Sequence, residues 1–296
     1  MVGGVAVMDF VFHLDIMPDR PEKYRARDGT ISGGGNAANA AVAVARLGGD
    51  VHLAARLGDD EVADLIVAGL ARENVGTAMV RRFGGHRSSF SSIFVDGEGE
   101  RQIVNFRDTT LPSRGGWLQA ALPARFDAAL ADTRWPEGAL ALMLAARATG
   151  VPGVVDAEAP VREAEEALAQ ASHIAFSAQG LRDWTGHGDL TRGLAEADAA
   201  LPGTVLVTDG AHGTFWREGG VAHHAPARAV TPVDTLAAGD VWHGAFALQL
   251  ARGTTLRDAV EYANAAATLK CTRIGGRDGA PNAAELAEWM DGCPNP

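Results

Sequence analysis

Between Ala128 and Thr208 the chain alternates short apolar segments with helical ones, and that rhythm leaves few folds open. Ala128–Asp132, Val151–Asp156, His173–Ser177 and Thr204–Thr208 read as strands, with helices expected from about Glu137 to Ala148 and from about Val161 to Gln170. Strands that are apolar along their whole length are buried on both faces. Linked through helices, they run parallel in one sheet with helices on either side. Val2–Met8 and Val51–Ala55 fit as further strands, and Asp60–Glu73 as a further helix. The expectation is an α/β fold: a three-layer α/β/α arrangement around a mostly parallel sheet. At 296 residues, 47% of them hydrophobic, the chain is long for one domain and short for two, and one domain over 1–296 is expected.

Two stretches break the rhythm. Phe10–Thr30 mixes apolar pairs with Pro18, Pro21 and several charges, and suits short strands or loop. Ser88–Val95 and Arg101–Phe106, joined by a turn at Asp96–Gly99, read as a β-hairpin with half-polar arms. A hairpin inserted into an α/β chain is a candidate lid.

Composition excludes several partners. The net charge of −11 disfavours nucleic acid and anionic membranes. Cys271 and Cys293 form neither a disulfide framework nor a metal-ligand spacing, and the adjacent His223 and His224 would point opposite ways in a strand. No resident metal site is expected. With no basic leader and no apolar run of ~18 residues, a cytoplasmic location is expected.

The chemistry concentrates in Asp234–Gly253, DTLAAGDVWHGAFALQLARG. Small residues around one acid, Asp240, run into a helix whose Trp242, Phe246 and Leu250 make one apolar face. Ala237, Ala238 and Gly239 leave their backbone amides open at the helix N-terminus, where free N–H groups and the dipole attract an anion. An acid beside an anion site makes sense as a base for a hydroxyl attacking phosphorus, the arrangement of phosphoryl transfer. His243, on the same helix, reads as packing.

Upstream, Gly33-Gly34-Gly35-Asn36-Ala37-Ala38-Asn39 forms a glycine-rich turn into an alanine-rich helix that stops at Leu47-Gly48-Gly49. Its glycines admit a ligand against the backbone, and Asn39 offers a donor and an acceptor to hydroxyls. The dinucleotide fingerprint G-x-G-x-x-G is absent, because Ala38 stands at its last glycine, which weakens a dehydrogenase reading. Asp9 ends the first apolar run, and a carboxylate at a strand's carboxyl end points into the ligand crevice of an α/β sheet.

DTLAAGD resembles the C-terminal signature of the ribokinase-like (phosphofructokinase-B-type) carbohydrate kinases, usually DTxGAGD, with Ala237 in place of glycine. If that position needs positive φ, alanine is strained there. GGGNAANAAVAVARLGG resembles the same family's N-terminal signature, and Val207–Gly213 its VTxGxxG turn. The resemblance implies a ribokinase-like fold with a β lid built from 10–30 and 86–108, whose outer face could pair two subunits as a homodimer. It also implies ATP and Mg²⁺. Asp240 becomes the base, and Asp9, Gly34, Gly35 and Asn39 hold sugar hydroxyls. Thr208, Gly210 and Gly213 border the nucleotide, and Asn264 lies near the adenine. The family's N-x-x-E motif is missing: Ser177-Ala178-Gln179-Gly180 stands there, leaving Mg²⁺ to nucleotide phosphates and water.

Longer strings are similar to bacterial sulfofructose kinases: Glu22–Tyr24, Gly99–Arg101, Ala131–Trp135, Ala175–Leu181 and Leu269–Gly279. Those enzymes phosphorylate 6-deoxy-6-sulfofructose at O1. Lys23, Asn105 and Arg134 match their sulfonate-binding positions. A point charge, a neutral amide and a guanidinium fork suit three trigonal oxygens. A sugar phosphate is the nearest competitor and would favour a second cation, with Arg25, Arg27 and Arg107 as candidates. Kinases of neutral sugars, and a non-catalytic sugar or nucleotide sensor, remain as alternatives.

Overall fold

The structure, a computed structural model, describes residues 1–98 and 100–292. Gly99 of the hairpin turn and Cys293 lie outside the described residues. The chain opens with β1 (Val2–Gly4), β2 (Val7–His13), β3 (Asp28–Gly34), α1 (Asn36–Arg46), β4 (His52–Gly58), α2 (Glu61–Arg72) and β5 (Gly76–Phe83). There follow β6 (Phe90–Val95), β7 (Arg101–Phe106), α3 (Gly116–Ala121), β8 (Ala129–Asp132), α4 (Pro136–Thr149), β9 (Gly153–Ala157) and α5 (Glu165–Leu168). The second half adds β10 (His173–Ser177), α6 (Ala178–Thr185), α7 (Leu190–Ala200), β11 (Thr204–Thr208), β12 (Thr214–Glu218) and β13 (Val221–Ala225). It ends with α8 (Ala238–Ala251), α9 (Leu256–Cys271) and α10 (Ala283–Asp291).

One sheet runs β13-β12-β11-β10-β9-β8-β1-β4-β5 and is parallel except at β12 and β13. The continuous apolar strands divide their side chains between two cores. Leu53 and Ala55 enter one and Ala54 the other; Leu130 and Leu206 join the first, and Ala129, Ala131, Val205 and Val207 the second. The period of two accounts for the solid runs of Val, Leu and Ala, because both faces are covered. This is the expected ribokinase-like α/β architecture. Helix α8 is buried all round from Val241 to Gln249, not on the single face expected, because it lies between α1 and α9 against the sheet. The helix expected over Val161–Gln170 is reduced to a 3₁₀ turn (Arg162–Ala164) and the single turn of α5.

A second sheet, β3-β2-β6-β7, carries the expected hairpin. Here the first apolar run departs from expectation. Val2–Met8 is not one strand: β1 ends at Gly4, and the chain leaves the large sheet and enters the small one as β2. Asp132 enforces the break, its Oδ2 accepting the Val5 N–H (2.8 Å). Asp9 therefore lies inside a strand of the small sheet and not at the carboxyl end of a central strand. Gly33 and Gly34 likewise end β3, and only Gly35 makes the turn into α1.

Candidate active site

The crevice is assembled where β1 departs, between the carboxyl ends of β8 and β9 and the amino ends of α1 and α8. At the end of β8, Asp132 accepts N–H groups from Val5 (2.8 Å), Ala37 (3.1 Å) and Arg134 (2.9 Å), pinning the first turn of α1. Burial pushes its carboxyl up to about 6, and the donated N–H groups oppose the shift. Gly35 caps α1 at φ +94°, and a Cβ there would lie 2.6 Å from the Val5 carbonyl oxygen. Only glycine fits both demands.

Cross-strand register places Ser32, Asp9, Ser91 and Asn105 in one row on one face of the small sheet. The Asp9 carboxylate lies over Gly34, and Asn105 Nδ2 donates to Ser91 Oγ (3.1 Å). Burial raises the Asp9 carboxyl above its usual range, opposed by Ser91 and by the charge of Arg277.

Helix α1 brings Asn39 to α8. The two helices close tightly at Gly244, where a Cβ would sit 2.5 Å from the Ala40 carbonyl oxygen. Asn39 Nδ2 consequently donates to Asp240 Oδ2 at 2.7 Å, and Asn39 Oδ1 is left buried without a partner. An unpaired buried acceptor costs stability and suits a donor arriving with a ligand, such as a hydroxyl. The Asp240 carboxyl is held well above the ordinary carboxylate range, first by burial and then by the charge of Asp156, with the Asn39 hydrogen bond opposing. Asp156, at the end of β9, is itself raised by burial and eased by His243. His243 is buried and packs as expected: Nδ1 lies 2.8 Å from the Gly239 carbonyl oxygen, and Nε2 3.2 Å from that of Ala175.

At the head of α8, Ala237 adopts the left-handed region (φ 63°, ψ 9°). The Ala238 N–H turns back onto the Thr235 carbonyl (3.2 Å). Among the described residues no acceptor faces the N–H groups of Ala237, Gly239 or Asp240. Three open amides, at 237, 239 and 240, thus stand at a helix N-terminus; the expected set, 237 to 239, is corrected at Ala238. The αL conformation costs alanine about 1 kcal/mol or more. Ala237→Gly is therefore expected to raise the stability measured by denaturant unfolding by about 1 kcal/mol.

On the nucleotide side, Thr208 ends β11 beside Ser177, its register partner on β10. Gly210 starts the 3₁₀ turn that follows, and Gly213 closes it. Asn264 is hydrogen-bonded within the fold through both atoms of its amide. Its Oδ1 accepts from Thr214 Oγ1 (2.7 Å) and Trp242 Nε1 (2.8 Å), and its Nδ2 donates to the Ala225 carbonyl (3.0 Å). Buried and so engaged, it ties α9 to β12, β13 and α8 and is a strut behind the crevice wall.

The expected anion triplet is not gathered. Arg134, just past β8, pairs with Glu158 Oε2 at 3.0 Å, and Asn36 Nδ2 reaches the same oxygen at 2.8 Å. Asn105 sits on the neighbouring strand β7, and Arg107 Nη2 donates to the Arg134 carbonyl (3.1 Å), so a second guanidinium is at hand. Lys23 lies exposed in the β2–β3 loop, beyond the His13–Asp28 pair. Four residues of strand separate Asp9 from His13, about 13 Å. The loop folds on itself around the Tyr24 hydroxyl, which accepts the Asp19 and Arg20 N–H groups.

Reading from residues alone passed over Asn36, Asp132, Asp156 and Glu158. The rule applied to Asp9, a carboxylate where an apolar strand stops, holds for Asp132 and Asp156.

These groups together offer a carboxylate of raised pKa beside open amides, and a row of polar side chains on the small sheet. Among the described residues no cluster of three or more His, Cys, Asp or Glu could hold a metal, and no helix is long and apolar enough to cross a membrane. The family model of the pfkB family carbohydrate kinases matches residues 1–283. Bacillus subtilis ribokinase is 28% identical over 97% of both chains, and a Klebsiella pneumoniae fructokinase is 31% identical over 71% of this chain and 74% of its own. A crystal structure described as a ribokinase from Agrobacterium tumefaciens superposes with a TM-score of 0.90 at 38% identity, covering 98% of this chain and 96% of that one. The likeness extends over nearly the whole length and includes both ends of the crevice, and the chain belongs to the pfkB family of carbohydrate kinases, enzymes that phosphorylate sugars with ATP and Mg²⁺.

Proposed function

We propose that this kinase transfers the γ-phosphate of ATP to O1 of 6-deoxy-6-sulfofructose. The observation that carries this reading is the continuity of the Ser32–Asp9–Ser91–Asn105 row with Arg107 and Arg134. A sugar whose hydroxyls lie along the row has its far end at two guanidinium groups. An anionic end group suits that position, and a sulfonate offers three acceptor oxygens to Asn105 and Arg134.

In this reading Asp9 and Asn39 hold the sugar hydroxyls. The buried Asn39 Oδ1 accepts a hydrogen bond from a sugar hydroxyl, while its amide N–H keeps Asp240 oriented. Asp240 accepts the O1 proton as O1 attacks in line, and the open amides at 237, 239 and 240 receive charge on the transferring group. ATP runs along Thr208, Gly210 and Gly213. Mg²⁺ neutralises phosphate charge when bound and is carried by phosphate oxygens and water, consistent with its reluctance to dehydrate.

The small sheet acts as a lid within a single domain. Strand β7 spans the crevice from Arg101, whose Nη2 reaches Asp234 Oδ1 (3.1 Å), to Arg107 at Arg134. Such a cover excludes water that would hydrolyse ATP. The sheet's other face bears Phe10, Phe12, Phe90, Phe94 and Phe106, with Ile31 60% and Val104 61% exposed. Phe10 and Phe90 pack on the chain's own core, and the exposed Ile31 and Val104 suit a homodimer formed through the lid. A cytoplasmic setting, where ATP is available, completes the proposal.

One observation favours a second reading. Glu158 already balances the charge of Arg134, as it would if the substrate were a neutral ketose or pentose, and the relatives named above are a ribokinase and a fructokinase. Arg134→Ala separates the two. For the sulfonate sugar the expected result is a KM raised ~10-fold or more, the worth of a charge-assisted hydrogen bond, with KM for fructose unchanged. Equal effects on both sugars would remove Arg134 from an anion site.

A further inference from the structure

Lys270 is fully buried at the end of α9, an unusual place for an ammonium. Its Nζ donates to the Asp234 backbone carbonyl at 2.7 Å and lies 3.4 Å from Asp234 Oδ2. Asp234 is itself fully engaged. Oδ2 accepts the Gly275 and Gly276 N–H groups (3.0 and 3.1 Å), Oδ1 accepts the Leu236 N–H (2.9 Å) and meets Arg101, and the Val233 and Asp234 N–H groups both donate to the Cys271 carbonyl. Three residues further on stands Ala237 in its strained conformation, followed by the open amides. A carbonyl and a carboxylate oxygen converging on one point form a site for a small monovalent cation, and here the side-chain ammonium fills it. The groups facing Lys270 are Asp234, which favours its charge, together with Arg101 and Cys271.

We propose that the Lys270 ammonium serves as a built-in monovalent cation, a positioning group that braces the 234–239 turn so that the amides of Ala237, Gly239 and Asp240 stay aimed at the transferring phosphoryl group. The proposal rests on placing that group at these amides and not on which sugar accepts it. It gives the unmodified enzyme no need of added potassium or ammonium. It also assigns Lys270 to turnover and not to sugar binding, because its ammonium is fully buried and held by Asp234.

The test is chemical rescue. Lys270→Met and Lys270→Ala are assayed for kcat and for the sugar KM, with circular dichroism and thermal unfolding as folding controls. The expected result is a kcat lowered by ~10²-fold, the scale of a misplaced catalytic group, with the sugar KM within about 3-fold of the parent. Adding potassium, ammonium or propylammonium should restore Lys270→Ala by ~10-fold or more, whereas tetramethylammonium, too large for the site, should not. Asp240→Asn, assayed alongside, separates failure of the brace from failure of the site: if it loses turnover and ignores cations, the site stands, and an unresponsive Lys270→Ala counts against the brace alone. The proposal is overturned by near-parental kcat in Lys270→Met, by kcat and KM failing together without rescue, or by the inability of both variants to fold, which would make Lys270 structural only.

Discussion

Asp240→Asn is expected to lower kcat by ~10²–10⁴ while leaving the Kd for ATP close to that of the parent, because the substitution keeps the shape of the side chain and removes only its capacity to take a proton. Asn39 can still donate to the new amide oxygen, so the local geometry survives. The same carboxyl sets the pH dependence. Burial and the Asp156 charge hold it above the ordinary carboxylate range. As a base it works only when deprotonated, so kcat/KM should fall on acidification, and at a pH higher than an ordinary aspartate would give. Replacing Asp156 with asparagine removes a like charge and should move that acid limb to lower pH. An acid limb unmoved in Asp156→Asn would mean that burial, with the charges of Glu158 and Asp132, perturbs the base without Asp156, and undiminished turnover in Asp240→Asn would remove it from the mechanism.

Asp132→Ala should be among the most destabilising single substitutions in the chain, by about 3–5 kcal/mol in denaturant unfolding. The buried carboxylate takes N–H groups from Val5, Ala37 and Arg134. Its removal strands three donors contributed by the β1–β2 crossing, the first turn of α1 and the exit of β8. Asp132→Asn retains one acceptor oxygen and should lose about half as much. If Asp132→Ala unfolds at the parental denaturant midpoint, water replaces the carboxylate and the crossing is held by other contacts.

The large sheet was legible because both its faces are covered: Leu53, Ala54 and Ala55 could be assigned to a strand from apolarity alone, whichever core each enters. The open amides at the head of α8 were legible in part, because small residues before a helix leave room at its N-terminus, whereas the turn of the Ala238 N–H onto Thr235 was not. What could not be read was any feature fixed by pairing across distant segments. The crossing at Val5–Ala6 depends on Asp132, 127 residues away from Val5, so Val2–Met8 reads as one strand and Asp9 as its end, whereas Asp9 lies inside β2. Lys23 was grouped with Arg134 by spelling, but the direction in which a loop leaves a strand is not written in its residues. Asn264 carried a polar side chain on a helix, and only the fold shows three partners using it. Lys270 gave no signal, since a lysine in a helix is ordinarily solvated.

The most direct test of the account is a comparison of kcat/KM for 6-deoxy-6-sulfofructose, fructose 6-phosphate and fructose at equal concentrations, read as ADP release with ATP and Mg²⁺. The account predicts a preference for the sulfonate of at least ~10-fold over both, about 1.4 kcal/mol of transition-state discrimination. A preference for fructose would contradict it, leaving the crevice and Asp240 in place but assigning Arg134 and Glu158 to each other and not to the substrate.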